Sequence, residues 1–144
     1  MTTVNIYLTF NGNCEEAFTY YKSVFGGDFE MMSRFSEMPP MDNCPEVSPE
    51  DANKIMHVTL PIGGNSVLMG SDTGGEWALQ YKEGNNFSVS VNADSQESAN
   101  TFFAKLSDDG KVIMPMDKTF WGSYFGMCTD KFGINWMVSC EIKQ

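Results

Sequence analysis

The sequence predicts an α+β fold in which one β-α-β-β-β module occurs twice. Three independent patterns support this prediction: an alternating strand, a capping pair at a helix start and an apolar helix stripe. All three recur after a shift of 81 residues, which carries Ile6 onto Phe87. The same shift carries Leu8 and Phe10 onto Val89 and Val91, Asn13 and Glu16 onto Asp94 and Glu97, and Phe18, Tyr21 and Phe25 onto Ala99, Phe102 and Leu106. Agreement of three signals at one offset indicates an internal repeat.

The first module begins with a strand and a helix. Apolar side chains alternate with polar or small ones from Val4 to Phe10, which is the period-2 pattern of a strand with one buried face. A helix is predicted after Asn13, whose side chain is expected to cap the first amides while Glu16 answers as a capping box. Gly26-Gly27 is expected to end this helix. Further strands are predicted near 28–36, 54–62 and 66–71, the last two joined by a tight turn at 63–65.

The second module repeats this order. Its later strands are predicted near 111–115, 121–128 and 134–142, with the turn TDKFG before the last one. We therefore interpret residues 1–144 as one domain with a first module at 1–72 and a second at 86–144. The Pro-rich, acidic segment 36–54 is long for a loop inside a compact domain. It is expected to be a lid, a dimer contact or a solvated excursion.

Composition excludes several classes of function. Nine Lys and Arg against nineteen Asp and Glu give a formal net charge of −10, which repels phosphate backbones and argues against nucleic acid as a partner. No apolar run reaches the roughly 18 residues of a membrane span, and the N-terminus lacks the features of a signal peptide. We therefore expect a cytoplasmic protein that does not bind membranes.

The cysteines are too few and too widely spaced for a disulfide scaffold. They are Cys14, Cys44, Cys128 and Cys140, and we expect four buried, reduced thiols. Cys14 is set apart by its predicted place in the first turn of a helix, where the helix dipole lowers the pKa of a thiol.

Three segments carry a resemblance to a known family. YLTFNGNCEEAFTYYKSVFGG, IMHVTLPIGGNSVLMGSD and FWGSYFGMCTDKFGINWM resemble the PhnB-like, or demethylubiquinone methyltransferase-like, branch of the vicinal oxygen chelate superfamily. That superfamily includes glyoxalase, bleomycin-resistance proteins and extradiol dioxygenases. The resemblance covers almost the whole chain. It implies that the two modules form a curled mixed sheet, a half-open barrel around a pocket with the helices outside, and that a homodimer completes the site.

In such a curled sheet, strand parity separates residues that face the helices from residues that face the pocket. The helix-facing set is expected to be Val4, Ile6, Leu8, Phe10, Phe87, Val89, Val91, Ile134, Trp136 and Val138. The pocket-facing set is expected to be Asn5, Tyr7, Thr9, Asn86, Ser88, Ser90, Asn92, Asn135, Met137, Ser139 and Glu141. Trp121 and Phe125 are candidates for the pocket wall or rim, with a dimer contact as the alternative for Trp121. Gly122 and Gly126 are expected to let their strand bend.

The resemblance also locates the positions that hold a metal ion in other members of the superfamily. Carried over by module position, these are Asn5, Met69, Asn86 and Met137. Zn²⁺, Ni²⁺, Mn²⁺ and Fe²⁺ prefer imidazole, carboxylate or thiolate ligands, so we expect no standard metal centre. The sequence also lacks a glycine-rich turn from strand to helix followed by an acidic residue, which argues against a nucleotide-like methyl donor. We therefore expect no cofactor.

The leading functional hypothesis is that a small, partly apolar molecule binds in the barrel pocket. The predicted ligand-binding residues are Asn5, Tyr7, Met69, Asn86, Ser88, Ser90, Trp121, Phe125, Met137 and Ser139. His57, the only histidine, and Glu141 are the candidate catalytic residues, although either can be purely structural or solvated. One alternative is a metal-dependent lyase, isomerase or dioxygenase with non-standard ligands, and another is a dimeric interaction protein without a ligand.

Overall fold

The computed structural model describes residues 2–37 and 48–142, without the side chains of residues 75–77. The described chain divides into two compact units, Met1–Lys82 and Glu83–Gln144.

The first unit contains one helix and a four-stranded mixed sheet. Its elements are β1 (Ile6–Phe10), α1 (Cys14–Phe25), β2 (Met31–Arg34), β3 (Ile55–Gly63) and β4 (Ser66–Asp72), with short 3-10 helices at Phe35–Glu37 and Gly75–Gln80. The strand order is β1-β4-β3-β2. β1 runs parallel to β4, and the other pairs are antiparallel.

The second unit has the same construction. Its elements are β5 (Val89–Asn92), α2 (Gln96–Ser107), β6 (Lys111–Lys118), β7 (Ser123–Thr129) and β8 (Asn135–Glu141). The order β5-β8-β7-β6, with β5 parallel to β8, repeats that of the first sheet. The predicted α+β class and its two β-α-β-β-β units are confirmed.

The helices match at an offset of 82, which differs by one from the predicted shift. Their buried residues Ala17, Tyr21 and Val24 correspond to Ala99, Phe103 and Leu106. Phe25 and Phe102, which were assigned to the stripes, are only half-buried. The predicted stripe was therefore wrong at these two positions. Phe102 was reached by applying the strand's shift to the helix, and Phe25 is the last residue of α1.

The core of each unit lies between its helix and one face of its sheet. In the first unit, Phe18 packs edge-on against Phe10 and Tyr21, at centroid distances of 6.1 and 5.6 Å. In the second unit, Trp136 and Val138 are fully buried, as predicted. Val4 and Phe87 contradict the predicted alternation, since each precedes its strand and they are 90% and 56% exposed.

The start of α1 is capped by a residue distant in sequence. The Asn13 side chain makes no capping hydrogen bond, so the predicted capping box is wrong. Instead, the buried Asp72 carboxylate at the end of β4 accepts hydrogen bonds from the amides of Gly12 (3.0 Å) and Cys14 (2.9 Å) through Oδ1, and from that of Ile55 (2.9 Å) through Oδ2. This carboxylate therefore ties the helix start to β3 and β4.

The start of α2 is capped locally. Ser95 Oγ accepts from the Ser98 amide at 3.0 Å, so the cap is one residue after the predicted Asp94. The residue at the cap again follows the offset of 82, since 95 − 13 = 82.

Gly126 lies in β7, where it pairs with β8 in a continuous register. Pairing between β7 and β8 continues through Gly126 and Val138 without a shift. The irregularity lies in β6, where the register shifts between Met114 and Asp117. An added Cβ on Gly126 would lie 2.6 Å from Met116 Sδ and 3.0 Å from the Phe103 ring, so this glycine admits close packing against α2. Gly122, by contrast, adopts a φ of +92° in the turn before β7.

Three of the cysteines are free and buried, as predicted, and Cys44 is outside the described residues. The expected lowering of the Cys14 pKa is wrong. Burial raises the pKa of this thiol, and the nearby charges of Asp72 and Glu15 raise it further.

The middle of the predicted loop 36–54, residues 38–47, is outside the described residues. The two ends of this segment are paired with each other. The Phe35 amide donates to the Lys54 carbonyl (3.1 Å), and the Ser36 amide donates to that of Ala52 (2.9 Å). Within the described ranges, no helix is long and apolar enough to cross a membrane.

Candidate functional site

Each sheet has one face that is turned away from its helix, which we call its open face. On the first sheet this face carries Tyr7 of β1, His57 and Thr59 of β3 and Met69 of β4. Tyr7 and Thr59 are the two register partners of Met69, so they flank it on neighbouring strands. The predicted site residues Tyr7, His57 and Met69 are thus brought together.

His57 is held in a defined orientation. Its Nε2 lies 2.8 Å from Thr59 Oγ1, and its ring centroid lies 5.7 Å from that of Tyr7 at an interplanar angle of 39°. On the other side His57 is the register partner of Ser33 in β2. Within the part of the chain that the structure describes, the buried Ser33 Oγ has no hydrogen-bond partner. His57 lies on a strand, as predicted.

The open face of the second sheet is formed around Met137 of β8. Its register partners are Ser90 of β5 and Met127 of β7. Beside them Ser139 donates a 2.8 Å hydrogen bond to Asn92 Oδ1, and Phe125 is the register partner of Ser139. The sequence-predicted residues Ser90, Phe125, Met137 and Ser139 are therefore neighbours.

A cavity of about 760 Å³ lies at one end of this open face, where β7 ends and β8 begins. Ile113 and Met127 supply apolar surface. Thr129 and Asn135 supply polar groups joined to each other, since Thr129 Oγ1 donates to Asn135 Oδ1 at 2.7 Å. The rest of the wall includes Ser88, Lys111 and Glu83.

The carboxylate of Asp130, which is only 3% exposed, stabilises the turn beside the cavity. Its Oδ1 accepts from the amides of Phe132 (2.8 Å) and Ile134 (3.0 Å), and its Oδ2 accepts from Trp136 Nε1 (2.8 Å). These bonds close the turn between β7 and β8. Burial, with a smaller contribution from the Asp130 charge, raises the pKa of the neighbouring Cys128 thiol to about 11. Cys128 is therefore a protonated structural thiol at neutral pH.

An exposed group of rings lies at the turn between β6 and β7. The Trp121 ring is 5.0 Å from that of Phe120 and 6.0 Å from that of Phe125, edge-on in both cases. Phe120 is 97% and Trp121 58% exposed. Thr119 holds the turn, because its amide and hydroxyl both donate to the Ser123 carbonyl. Trp121 does not line the cavity of the second sheet.

The remaining predicted residues are more scattered. Asn5 and Asn86 lie in the exposed segments that precede β1 and β5. Ser88 borders the cavity, and Glu141 is exposed at the end of β8 as the register partner of Ser123. His57 and Glu141 belong to different units.

Sequence reasoning missed most of the cavity wall. Met127 and Thr129 alternate with the buried Gly126, Cys128 and Asp130. This alternation along β7 could have predicted that both side chains lie on the open face. Lys111 and Ile113 gave no comparable signal, because β6 is exposed along almost its whole length. Glu83 lies before β5, outside any strand or helix.

The side chains at the superfamily's metal positions do not suit a metal ion of the usual kind. Met69 and Met137 present thioethers, with hydroxyl or thioether neighbours in register. Mn²⁺, Fe²⁺ and Zn²⁺ favour carboxylate or imidazole donors over thioethers. Among the residues that the structure describes, no group of three or more His, Cys, Asp or Glu side chains could hold a metal ion.

The paired β-α-β-β-β units define a class of fold, that of the glyoxalase/bleomycin-resistance proteins. A glyoxalase/bleomycin resistance protein/dioxygenase family enzyme from Burkholderia phytofirmans PsJN has a TM-score of 0.61 to this chain. It covers 94% of this chain and 97% of its own at 14% identity, which is a likeness of fold.

Within that class, residues 2–139 match the family described as 3-demethylubiquinone-9 3-methyltransferase. The chain belongs to this family, and its predicted resemblance to PhnB-like proteins is confirmed.

Similar proteins are known in several bacteria. The chain is 32% identical over 143 residues to Protein YjdN of Escherichia coli (strain K12), across 96% of this chain and 95% of that protein. It is 39% identical to protein PA1353 from Pseudomonas aeruginosa, with a TM-score of 0.82 over 99% of this chain and 100% of the other. A putative 3-demethylubiquinone-9 3-methyltransferase, PhnB protein, from Bacillus cereus is 25% identical, with a TM-score of 0.73 over 96% and 99% of the two chains.

Proposed function

We propose that the protein binds a small, partly apolar molecule on the open face of its second sheet, without the metal centre of its superfamily. The observation that carries this proposal is the cavity of about 760 Å³, bordered by Met127, Thr129 and Asn135. Pockets for small molecules commonly measure roughly 300–1,000 Å³ and combine apolar surface with a few placed polar groups. The cavity, which is open to solvent, falls within that range of volume and has both kinds of surface.

The polar part of the wall is oriented for recognition. Because Asn135 Oδ1 is occupied by the Thr129 hydroxyl, the amide presents its Nδ2 hydrogens as donors. Met127, half-buried beside it, supplies an adaptable apolar contact. We infer a ligand with an apolar body and a hydrogen-bond acceptor that reaches Asn135.

The proposal does not include a metal-bound substrate, because the side chains at the expected metal positions are poor ligands for the usual metal ions. Met69 lies at the centre of the first open face and Met137 at the centre of the second. A divalent cation at either position would require carboxylate or imidazole ligands. No step of the proposed function therefore passes through a metal ion.

The proposal also leaves out methyl transfer, the reaction named in the description of the family. A nucleotide-like methyl donor is commonly held at a glycine-rich turn that opens a helix. In this chain the amides of Gly12 and Cys14 at the start of α1 are already bonded to Asp72, and the start of α2 is capped by Ser95. At both helix starts, the protein's own side chains therefore already bind amides that such a donor would use.

The proposal is tested by filling the cavity. The probe is 8-anilinonaphthalene-1-sulfonate, which becomes fluorescent on transfer from water to an apolar site. Met127→Trp should weaken its binding at least about tenfold, because the larger ring occupies the cavity. Leu79→Trp introduces the same ring at a position that is 88% exposed in the first unit and should leave binding unchanged.

Circular dichroism first establishes that both variants are folded. Equal binding by the wild type and Met127→Trp would refute the proposed site. Elemental analysis of the wild-type protein is expected to find far less than one first-row metal ion per chain. About one ion per chain, retained on dialysis, would favour the alternative of a metal-dependent enzyme with non-standard ligands.

A further inference from the structure

The open face of the first sheet carries a partly exposed aromatic surface. The Tyr7 side chain is 47% exposed, although it stands in the middle of β1. Its ring leans on the half-buried His57 ring at 5.7 Å and 39°, which leaves the other side of the Tyr7 ring uncovered by this contact. Met69, the register partner of Tyr7, adds a polarisable thioether beside it. This surface suits a planar ring, since aromatic faces stack in offset or tilted arrangements.

His57 adds a directed polar group to that surface. Because Nε2 is engaged with Thr59 Oγ1 at 2.8 Å, Nδ1 is the nitrogen that remains for a ligand. If Thr59 donates to Nε2, then Nδ1 carries the proton and donates; if Nε2 donates to Thr59, then Nδ1 accepts. A hydroxyl group can both donate and accept, so it satisfies either tautomer, whereas a carbonyl satisfies only one.

Ser33 provides an independent sign of an incomplete polar network. Its Oγ is buried and has no hydrogen-bond partner among the described residues, and Ser33 is the register partner of His57. A buried, unpartnered hydroxyl costs free energy, and such groups in folded proteins call for an explanation. A rotation of the Ser33 side chain towards His57 would bring this hydroxyl to a polar ligand group bound there.

We propose that the open face of the first sheet binds a planar aromatic ring that bears a hydroxyl group, with the ring against Tyr7 and the hydroxyl bonded to His57 Nδ1. This site goes beyond the proposed function, because it lies on the other sheet and specifies the class of ligand. It does not depend on the cavity beside Met127. The two sites therefore succeed or fail in separate experiments.

The only histidine of the chain makes the test specific. In ¹⁵N-labelled protein, a long-range ¹H–¹⁵N spectrum shows the two imidazole nitrogens of His57 alone. Titration with 2-naphthol should shift Nδ1 saturably. Naphthalene, which lacks the hydroxyl, and decahydro-2-naphthol, which lacks the aromatic faces, should each bind about tenfold more weakly.

Tyr7→Leu should weaken 2-naphthol binding about tenfold, because it removes the stacking surface and keeps an apolar side chain at this position. Val4→Leu, a substitution at a residue that is 90% exposed in the same segment, is the matched control and should have no effect. Thr59→Val should leave His57 in mixed tautomers, visible in the same spectrum, and should weaken binding without unfolding the protein.

Three results would overturn the proposal. These are an unchanged His57 spectrum at saturating 2-naphthol, equal affinity for decahydro-2-naphthol, and full affinity in Tyr7→Leu. None of them bears on the cavity of the second sheet, which is tested by Met127→Trp.

Discussion

Replacement of Asp72 by Asn should destabilise the protein by about 2–4 kcal/mol. The buried carboxylate accepts three backbone hydrogen bonds, at 2.9–3.0 Å, from Gly12, Cys14 and Ile55. An Asn side chain has the same shape but only one oxygen, so its NH₂ group must face at least one of these N–H donors. The loss of one charge-assisted bond, roughly 1.5–3 kcal/mol, combines with a buried donor left unsatisfied, at roughly 1–3 kcal/mol, in a structure that relaxes in part.

Two other cap positions calibrate this result. Asn13→Ala should change the free energy of unfolding by less than about 0.5 kcal/mol, because the Asn13 side chain makes no capping bond. Ser95→Ala, which removes the acceptor of the Ser98 amide, should cost about 1 kcal/mol. The order of the three effects follows from the hydrogen bonds and not from helix propensity.

The measurement is urea unfolding followed by far-UV circular dichroism, together with amide hydrogen exchange. In Asp72→Asn, exchange should accelerate most at Gly12, Cys14 and Ile55. A cost below about 1 kcal/mol for Asp72→Asn would refute the reasoning. So would a cost of Asn13→Ala equal to that of Ser95→Ala, since this would restore the local capping box.

The remaining predictions concern two glycines and one thiol. Gly70→Ala should cost about 2–3 kcal/mol in urea unfolding, because the new Cβ would lie 2.6 Å from the Phe18 ring and 2.8 Å from a backbone oxygen. Gly126→Ala should cost about 1 kcal/mol less, since its first contact is the flexible Met116 side chain; equal costs would contradict this. Cys128 should resist iodoacetamide at pH 8 in the native protein, as read by peptide mass spectrometry. Its pKa is raised from 9.0 to about 11, so its contribution to stability is complete below pH 9 and is lost as the pH rises towards 11; Cys128→Ser should remove this part of the pH dependence of unfolding.

The repeat could be predicted because its signals are local. Alternation in a strand and a stripe on a helix are set by which side chains meet the core, and both survive in a single sequence. The single offset failed because the two modules differ by one residue between strand and helix. Leu8 to Ala17 spans 9 positions, whereas the equivalent buried pair, Val89 to Ala99, spans 10.

The cap on α1 could not be predicted from local pattern. Asp72 acts on amides that lie 58 and 60 positions earlier in the chain, and its neighbours in sequence indicate only a turn. Likewise, the dipole at a helix start is a local reason for a lowered Cys14 pKa. Complete burial and the Asp72 charge reverse that effect, and both exist only in the folded chain.

The candidate sites were predicted in part, because the strand register determines which side chains are neighbours on one face of a sheet. Once the strand phases are known, Met69 and Met137 must stand between their partners on the open faces. To predict the cavity beside Asn135, the irregular pairing of β6 would have to be known, because its register shifts on both sides of Met114. Bulges of this kind interrupt the regular alternation of a strand. No sequence periodicity therefore indicates that Ile113 lies in the cavity wall.

The two sheets share an order and a register, and yet they present different chemistry. The shared features depend on the buried faces, where Leu68 of β4 and Trp136 of β8 are both fully buried beside a parallel strand. The open faces contribute little to that core, so their side chains can differ at small cost to the fold. Around Met69 the structure places an aromatic pair and a histidine, whereas around Met137 it places a serine and a second methionine. A repeated framework thus presents two chemically different open faces in one short chain.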